Sequence, residues 1–167
     1  MRDVGAMPAM IRPAEAADVP AMAAIRAREW ESQEYWERRI GGYLAGNLGA
    51  QHSLPGHAVF VAVEDGAVVG FVAGHHTTRH GCDGELEWID VVAEYRRRGI
   101  AGRLIVEMAG WFIGEKISRV CIDVQPKNLV ARALYAKFGA QPLNPHWLFW
   151  EDIHAAVAAA NRPPAPK

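Results

Sequence analysis

The stretch that most restricts the fold runs from Glu85 to Gln125. It reads as a strand, "ELEWIDVV", then a turn of arginine and glycine, "AEYRRRG". A helix to about Ile113 and a second strand, "SRVCIDVQ", follow. The segment between the strands is too long for a hairpin and long enough for a helical crossover. Such a unit crosses right-handedly and leaves its two strands parallel. Just upstream, "HAVFVAVE" and "AVVGFVAGH" are β-rich runs joined by Asp65-Gly66, a two-residue hairpin signal. The same sheet must therefore mix antiparallel and parallel strands.

The flanks extend this pattern. "AMIRPA" reads as a first strand, and Asp18 as the cap of a helix with Pro20 in its first turn. Ser32 opens a second helix, "SQEYWERRIGGYLAG", which Gly41-Gly42 should loosen. Of its long aromatics and their neighbour Trp30, the core is the favoured place, with pocket lining as the other. "NLVARALYAKFG" is a helix begun by Asn128 and stopped by Gly139; "HWLFWEDI" is a last strand, and an Ala-rich helix follows. The order is β-α-α-β-β-β-α-β-α-β, an α/β domain with a mixed central sheet flanked by helices. With 167 residues, 50% of them hydrophobic, the chain is expected to form one domain over residues 10–160. Residues 1–9 read as a flexible lead-in and the Pro-rich 161–167 as a flexible tail.

Composition removes whole classes of function. A net charge of -1 argues against a protein that coats nucleic acid, so the arginine cluster is local. No apolar run approaches the roughly 20 residues a bilayer span needs. Cys82 and Cys121 are two cysteines in a chain with no recognisable targeting signal, which points to free thiols in a reducing, cytoplasmic setting.

The turn itself, Arg96, Arg97, Arg98, Gly99, Ile100, Ala101, Gly102 and Arg103, lies between a strand and a helix start. Unpaired N–H groups and a partial positive charge make that a natural anion site. Basic residues oppose the dipole there, so folding alone does not explain them. A dinucleotide fingerprint would need three spaced glycines, and a P-loop would need Lys-Ser/Thr after the last one. Neither is present.

Arg96-x-x-Gly99-x-Ala101 resembles the signature of the GNAT superfamily of acetyl-CoA-dependent N-acetyltransferases. About thirty residues on, "CIDVQPKNLVARALYAKFGA" is similar to that family's second conserved block, with Asn128, Ala131, Leu134, Tyr135 and Gly139 in register. Ala140 departs from it, since Phe is usual there. The resemblance covers roughly Met10 to Ile153 and implies a splayed parallel strand pair with acetyl-CoA as co-substrate and no metal. It also implies that Val91 and Val92 lie along the pantetheine arm, that the N–H groups from Arg97 to Gly102 hold the pyrophosphate, and that Asn128 lies by the pantetheine. Tyr135 is then the general acid at the sulfur. For the base, "LEWIDV" is similar to the segment of spermidine/spermine acetyltransferases that supplies Glu87; Asp123 matches the position of a catalytic Glu in ribosomal-protein N-terminal acetyltransferases; a water chain is the third option.

Plain alternation puts Glu85, Glu87 and Ile89 on one side of their strand and Leu86, Trp88 and Asp90 on the other, unless a bulge intervenes. Asp83, Glu85, Glu87 and Asp90, with Glu31, Glu34 and Glu37, suggest an acidic mouth for a cationic small-molecule amine. His75, His76, His80 and Cys82 match no familiar zinc spacing and suit an entrance loop better. Other readings are a covalent route through Cys121, a protein N-terminal or lysine acetyltransferase, and a non-catalytic acyl-CoA sensor. An exposed sheet edge and the aromatic last strand suggest a homodimer.

Overall fold

The computed structural model describes residues 8–49 and 52–162. Residues 1–7 and 163–167, most of the expected lead-in and tail, lie outside the described residues. Ala9 is already buried in the core ahead of the first strand. Seven strands make one sheet: β1 (Met10–Pro13), β2 (Ser53–Glu64), β3 (Ala67–Thr77), β4 (Gly84–Val91), β5 (Val120–Asp123), β6 (Gln141–Asn144) and β7 (Trp147–Trp150). Their order is β1-β2-β3-β4-β5-β7-β6. Every neighbouring pair is antiparallel except β4–β5. The helices are α1 (Val19–Ala27), α2 (Gln33–Leu44), α3 (Ile100–Gly114), α4 (Leu129–Lys137) and α5 (His154–Ala160). None of them is long and apolar enough to cross a membrane.

Local signals act as expected at most joints. Asp65 and Gly66 take φ of 52° and 79°, the left-handed pair of a tight hairpin turn. Ser32 Oγ accepts the Tyr35 N–H, and Asn128 Oδ1 accepts the Ala131 N–H. Three details differ. α2 runs unbroken through Gly41-Gly42. Asp18 does not cap α1; its carboxylate turns back to Arg12 and to the Glu15 N–H. β6, "QPLN", carries no β-branched residue and is held as an edge strand by its hairpin with β7. The aromatic strand β7 is therefore internal, with Trp150 fully buried and its Nε1 donating to the Phe138 carbonyl.

Two cores lie on the two faces of the sheet. Under α1 and α2, Met22, Trp36, Ile40 and Tyr43 meet Val61, Phe71, Ala73 and Trp88. Under α3, Leu104, Met108 and Phe112 meet Val72, Leu86, Val120 and Ile122. Each such side chain removed from water contributes about 1.5–3 kcal/mol before entropy is counted. α3 sits close to the strands because Phe112 fills a notch left by two glycines: a Cβ on Gly74 or Gly84 would lie 2.8 Å from its ring. In the same way Gly102 admits Phe138, whose Cζ would be 2.6 Å from an added Cβ, and so brings α4 against the start of α3.

The Arg12–Asp18 pair, bidentate at 2.8 and 2.9 Å, ties the first strand to the turn before α1. Its hydrogen bonds from Arg12 hold the Asp18 carboxyl below its ordinary value. A depressed carboxylate adds stability above its unfolded pKa and loses it as the pH falls. Asp18→Ala should cost about 1–3 kcal/mol at pH 7. Chemical denaturation should show that deficit closing as the pH drops below about 3.9.

Candidate active site

β4 and β5 pair over three residues only, Gly84↔Val120, Glu85↔Cys121 and Leu86↔Ile122. β4 then runs on to Val91 without β5 beside it, which opens the wedge that the sequence resemblance implies. The cause is local. On the other side of β4 the register steps from Gly74↔Leu86 to Ala73↔Trp88, so Glu87 is an extra residue, a β-bulge. A bulge bends its strand and sharpens the twist, turning β4 away just where its pairing with β5 stops. It also resets the faces. Leu86, Ile89 and Val91 pack towards α3, while Glu85, Glu87, Trp88 and Asp90 all turn to the α1–α2 side. Plain alternation fails here because two successive residues at the bulge share a face.

Glu87 is largely buried on that side. Its Oε1 lies 3.5 Å from Arg39 Nη2 of α2, and its Oε2 lies 3.9 Å from His75 Nδ1. Glu85 is fully enclosed, with Arg79 Nε at 3.0 Å and Thr77 Oγ1 at 3.2 Å on Oε1. Burial, then the neighbouring Glu85 charge, pushes the Glu87 carboxyl up to about 7, against the opposing pull of Arg39. Glu87 is thus poised to gain and lose a proton near neutrality. His75 is fully buried, receives or donates one bond at 2.9 Å with Tyr43 Oη, and has no hydrogen-bond partner at Nε2 among the described residues. Its pKa falls to about 4 through burial, so it stays neutral, and burial likewise holds Tyr43 as a phenol.

Donor atoms of His75, Glu85 and Glu87 lie within 4.8 Å of one another. Zinc donors sit about 2.0–2.2 Å from their ion, and here Arg79 and Arg39 already balance the two carboxylates. A further cation would meet two guanidinium groups at once. The two carboxylates of the cluster already face two guanidinium groups.

Tyr135 stands on α4, two turns beyond Asn128, buried in the α3-side core with its ring edge-on to Trp150 at 6.2 Å. Burial, then the charge of Asp90, raises its hydroxyl above the usual phenol value, which keeps the proton on the oxygen. Asp90 is itself raised by burial and is bonded to Arg26 Nη1 of α1 at 2.9 Å. Asp123 ends β5, exposed and without an ion pair among the described residues. Cys121 is fully buried; its hydrogen bond with Cys82, then burial, raises its thiol, which disfavours a thiolate nucleophile.

Past β4 the backbone coils. Arg97 and Gly99 both take left-handed conformations, φ 65° and 80°, ahead of α3. Such a run turns successive N–H groups towards one concave side. Arg103 is the first to close on to the Gly99 carbonyl, leaving the N–H groups of Ile100, Ala101 and Gly102 ahead of the helical ladder. An anion fits this cradle, and nothing stands within 4 Å of where a Gly99 side chain would go. The nearby arginine side chains are partly committed elsewhere. Arg96 Nε donates to the Val91 carbonyl at 3.0 Å, and Arg98 reaches Glu64 at 3.5 Å. Arg97 and Arg103 are exposed. Val92 N–H bonds the Val69 carbonyl, so by alternation the Val91 N–H faces the open side of β4, the Val91 carbonyl being taken by Arg96.

Other sequence candidates are dispersed. His76 pairs with Glu115 at 3.1 Å, His80 lies against Trp147, and His75 belongs to the carboxylate network. Trp36 and Tyr43 are core, whereas Trp30 and Tyr35 are exposed. Of the expected acidic mouth, Glu85, Glu87 and Asp90 each carry an arginine, and Glu31 and Glu34 are exposed. Arg26, Arg39 and Arg79 carry no signal in the sequence that ties them to β4, and His75 stands out there only as one of the histidines of an expected entrance loop, not as a neighbour of the two carboxylates. Only the strand register, which sets His75 opposite Glu85, and helix packing bring them to the site.

Comparison with known proteins accords with this geometry. Residues 20–140 match the model of the Acetyltransferase (GNAT) family. An aminoglycoside N(6')-acetyltransferase type 1 from Salmonella typhimurium is 30% identical over 88 residues, 49% of this chain and 61% of the relative's length. The PaiA N-acetyltransferase of Thermoplasma acidophilum, solved with coenzyme A, superposes with a TM-score of 0.68 at 15% identity, over 87% of this chain and 99% of that one. The Escherichia coli GNAT-family protein YhbS, also with CoA, gives 0.67 at 22% identity, over 96% and 89%. The matched segment carries the bulged strand, the wedge, the cradle and Tyr135, and the chain belongs to the GNAT family of acetyltransferases.

Proposed function

We propose that this acetyltransferase moves the acetyl group of acetyl-CoA to the primary amine of a small molecule, by direct attack within a ternary complex. The observation that carries the reading is the wedge between β4 and β5, with a carboxyl raised to about 7 on one face and a buried phenol on the other. The Salmonella relative, named for acetylation of an aminoglycoside, supports a small-molecule acceptor. The structures solved with CoA support that co-substrate.

In this reading the pyrophosphate rests on the coil from Arg97 to Gly102, and the pantetheine runs between the open edge of β4 and Asn128. Glu87 takes a proton from the acceptor ammonium and passes it to solvent. The freed nitrogen attacks the thioester carbonyl; the N–C bond forms and the C–S bond breaks. Tyr135 hands its proton to the departing thiolate and is reprotonated by the second proton the nitrogen releases.

A protonated Glu87 cannot accept, so kcat/KM should be low in acid and rise through about pH 7 to a plateau. Glu87→Gln should remove that limb and lower kcat about 10²–10⁴-fold, read by CoA thiol release. Loss of the limb in Asp123→Asn instead would move the base to β5. Gly99→Glu places a carboxylate in the cradle. It should weaken CoA binding at least about tenfold by calorimetry, at a strain of about 1–2 kcal/mol for a left-handed non-glycine residue. Unchanged CoA affinity would remove the cradle assignment.

A further inference from the structure

Every carboxylate that β4 turns to the α1–α2 side has an arginine of its own. Arg79 meets Glu85 at 3.0 Å, Arg39 meets Glu87 at 3.5 Å, and Arg26 meets Asp90 at 2.9 Å. One more arginine, Arg38, is exposed and makes no ion pair with a described residue. Arg38 and Arg39 line an open cavity of about 350 Å³ with Tyr35, Gly42, Asn47 and Gly49.

Arg39 connects that cavity to the buried carboxylates. Its Nη1 donates to the Leu48 carbonyl at 2.8 Å, and its guanidinium lies over Trp88 at 5.3 Å. Gly49, at φ 63°, leaves room for it: a Cβ there would stand 3.1 Å from Nη1. The 3.5 Å contact with Glu87 is longer than the roughly 2.7–2.9 Å of a full charge-assisted bond. A guanidinium has five N–H donors, so Arg39 keeps donors to offer a ligand in the cavity.

With Glu85, Glu87 and Asp90 each facing an arginine, the buried carboxylates leave no uncompensated charge for an ammonium to meet, and Arg38 and Arg39 stand ready for an anion. Such a site suits an amine that brings its own acid group. We propose that the acceptor is an amino acid or a related small molecule, its carboxylate held by Arg38 and Arg39 and its ammonium taking the place of Arg39 beside Glu87. The proposal rests on the acetyl-transfer reading above. The fork of one arginine beside a second is well matched to a carboxylate, which takes paired N–H donors. As Arg39 turns to the ligand, Glu87 exchanges one cation for another, so no buried charge is left unpaired during binding.

The test is a panel of amino acids that differ in the separation of amine and carboxylate, each beside its primary amide. A polyamine and an aminoglycoside are added as acid-free acceptors. Turnover is followed by CoA release, and binding to the CoA-loaded chain by calorimetry. At least one acid should exceed its amide about tenfold or more in kcat/KM and in affinity, and Arg38→Gln should bring that ratio close to one through KM. An amide, polyamine or aminoglycoside preferred over every acid would overturn the proposal. So would a ratio that Arg38→Gln leaves untouched. Turnover of the acid-free acceptors alone defeats the carboxylate while leaving acetyl transfer standing; CoA bound with no acceptor turned over defeats both.

Discussion

β4 carries one residue more than β3 can pair with, and the surplus falls at Glu87. That single mismatch turns the strand away from β5, so the parallel pair lasts three residues and a wedge opens beyond it. The same bulge sets Glu87 and Trp88 on one face. A carboxyl that regular alternation would separate from Trp88 is thereby buried beside it, against α2. The opening and the burial of Glu87 arise from one backbone irregularity, and neither could be moved without the other.

The buried charges follow from this placement. A carboxylate taken out of water is costly unless it is paired. α1, α2 and the loop after β3 each send an arginine to the bulged strand. Asp90 and Glu85 are paired closely, at 2.9 and 3.0 Å, and Glu87 least, at 3.5 Å; burial, then the Glu85 charge, raises the Glu87 carboxyl to about 7. His75, neutral and bonded to Tyr43, fills the space between the two carboxylates without adding charge. The result is a site with little net negative charge, although the sequence of β4 reads as acidic.

Much of the architecture was legible from local chemistry. Asp65-Gly66, Ser32, Asn128 and Gly139 act through their own backbone neighbours, and each does in the fold what its residue type suggests. The cradle was legible for the same reason, since Gly99 and the helix start after it depend on contiguous residues. Asp18 was misread and β6 missed because partners across space decide them: Arg12 draws the Asp18 side chain away from a cap, and β7 supplies the ladder for a strand with no intrinsic β preference. Trp30 and Tyr35 could not be told from Trp36 and Tyr43 by composition, because only the packing of α2 says which side of the helix is inside.

By itself the sequence determined the order of strands and helices apart from β6, the parallel crossover, the arginine-glycine turn ahead of α3 and the short set of ionisable residues along β4. These depend on periodicity and on contacts within a few residues. Tertiary structure decided which face Glu87 takes, which arginine answers each carboxylate, and that Tyr135 is buried within reach of the charge on Asp90. Those outcomes depend on register between strands and on helices packed across them, where one extra residue reverses the side a group faces.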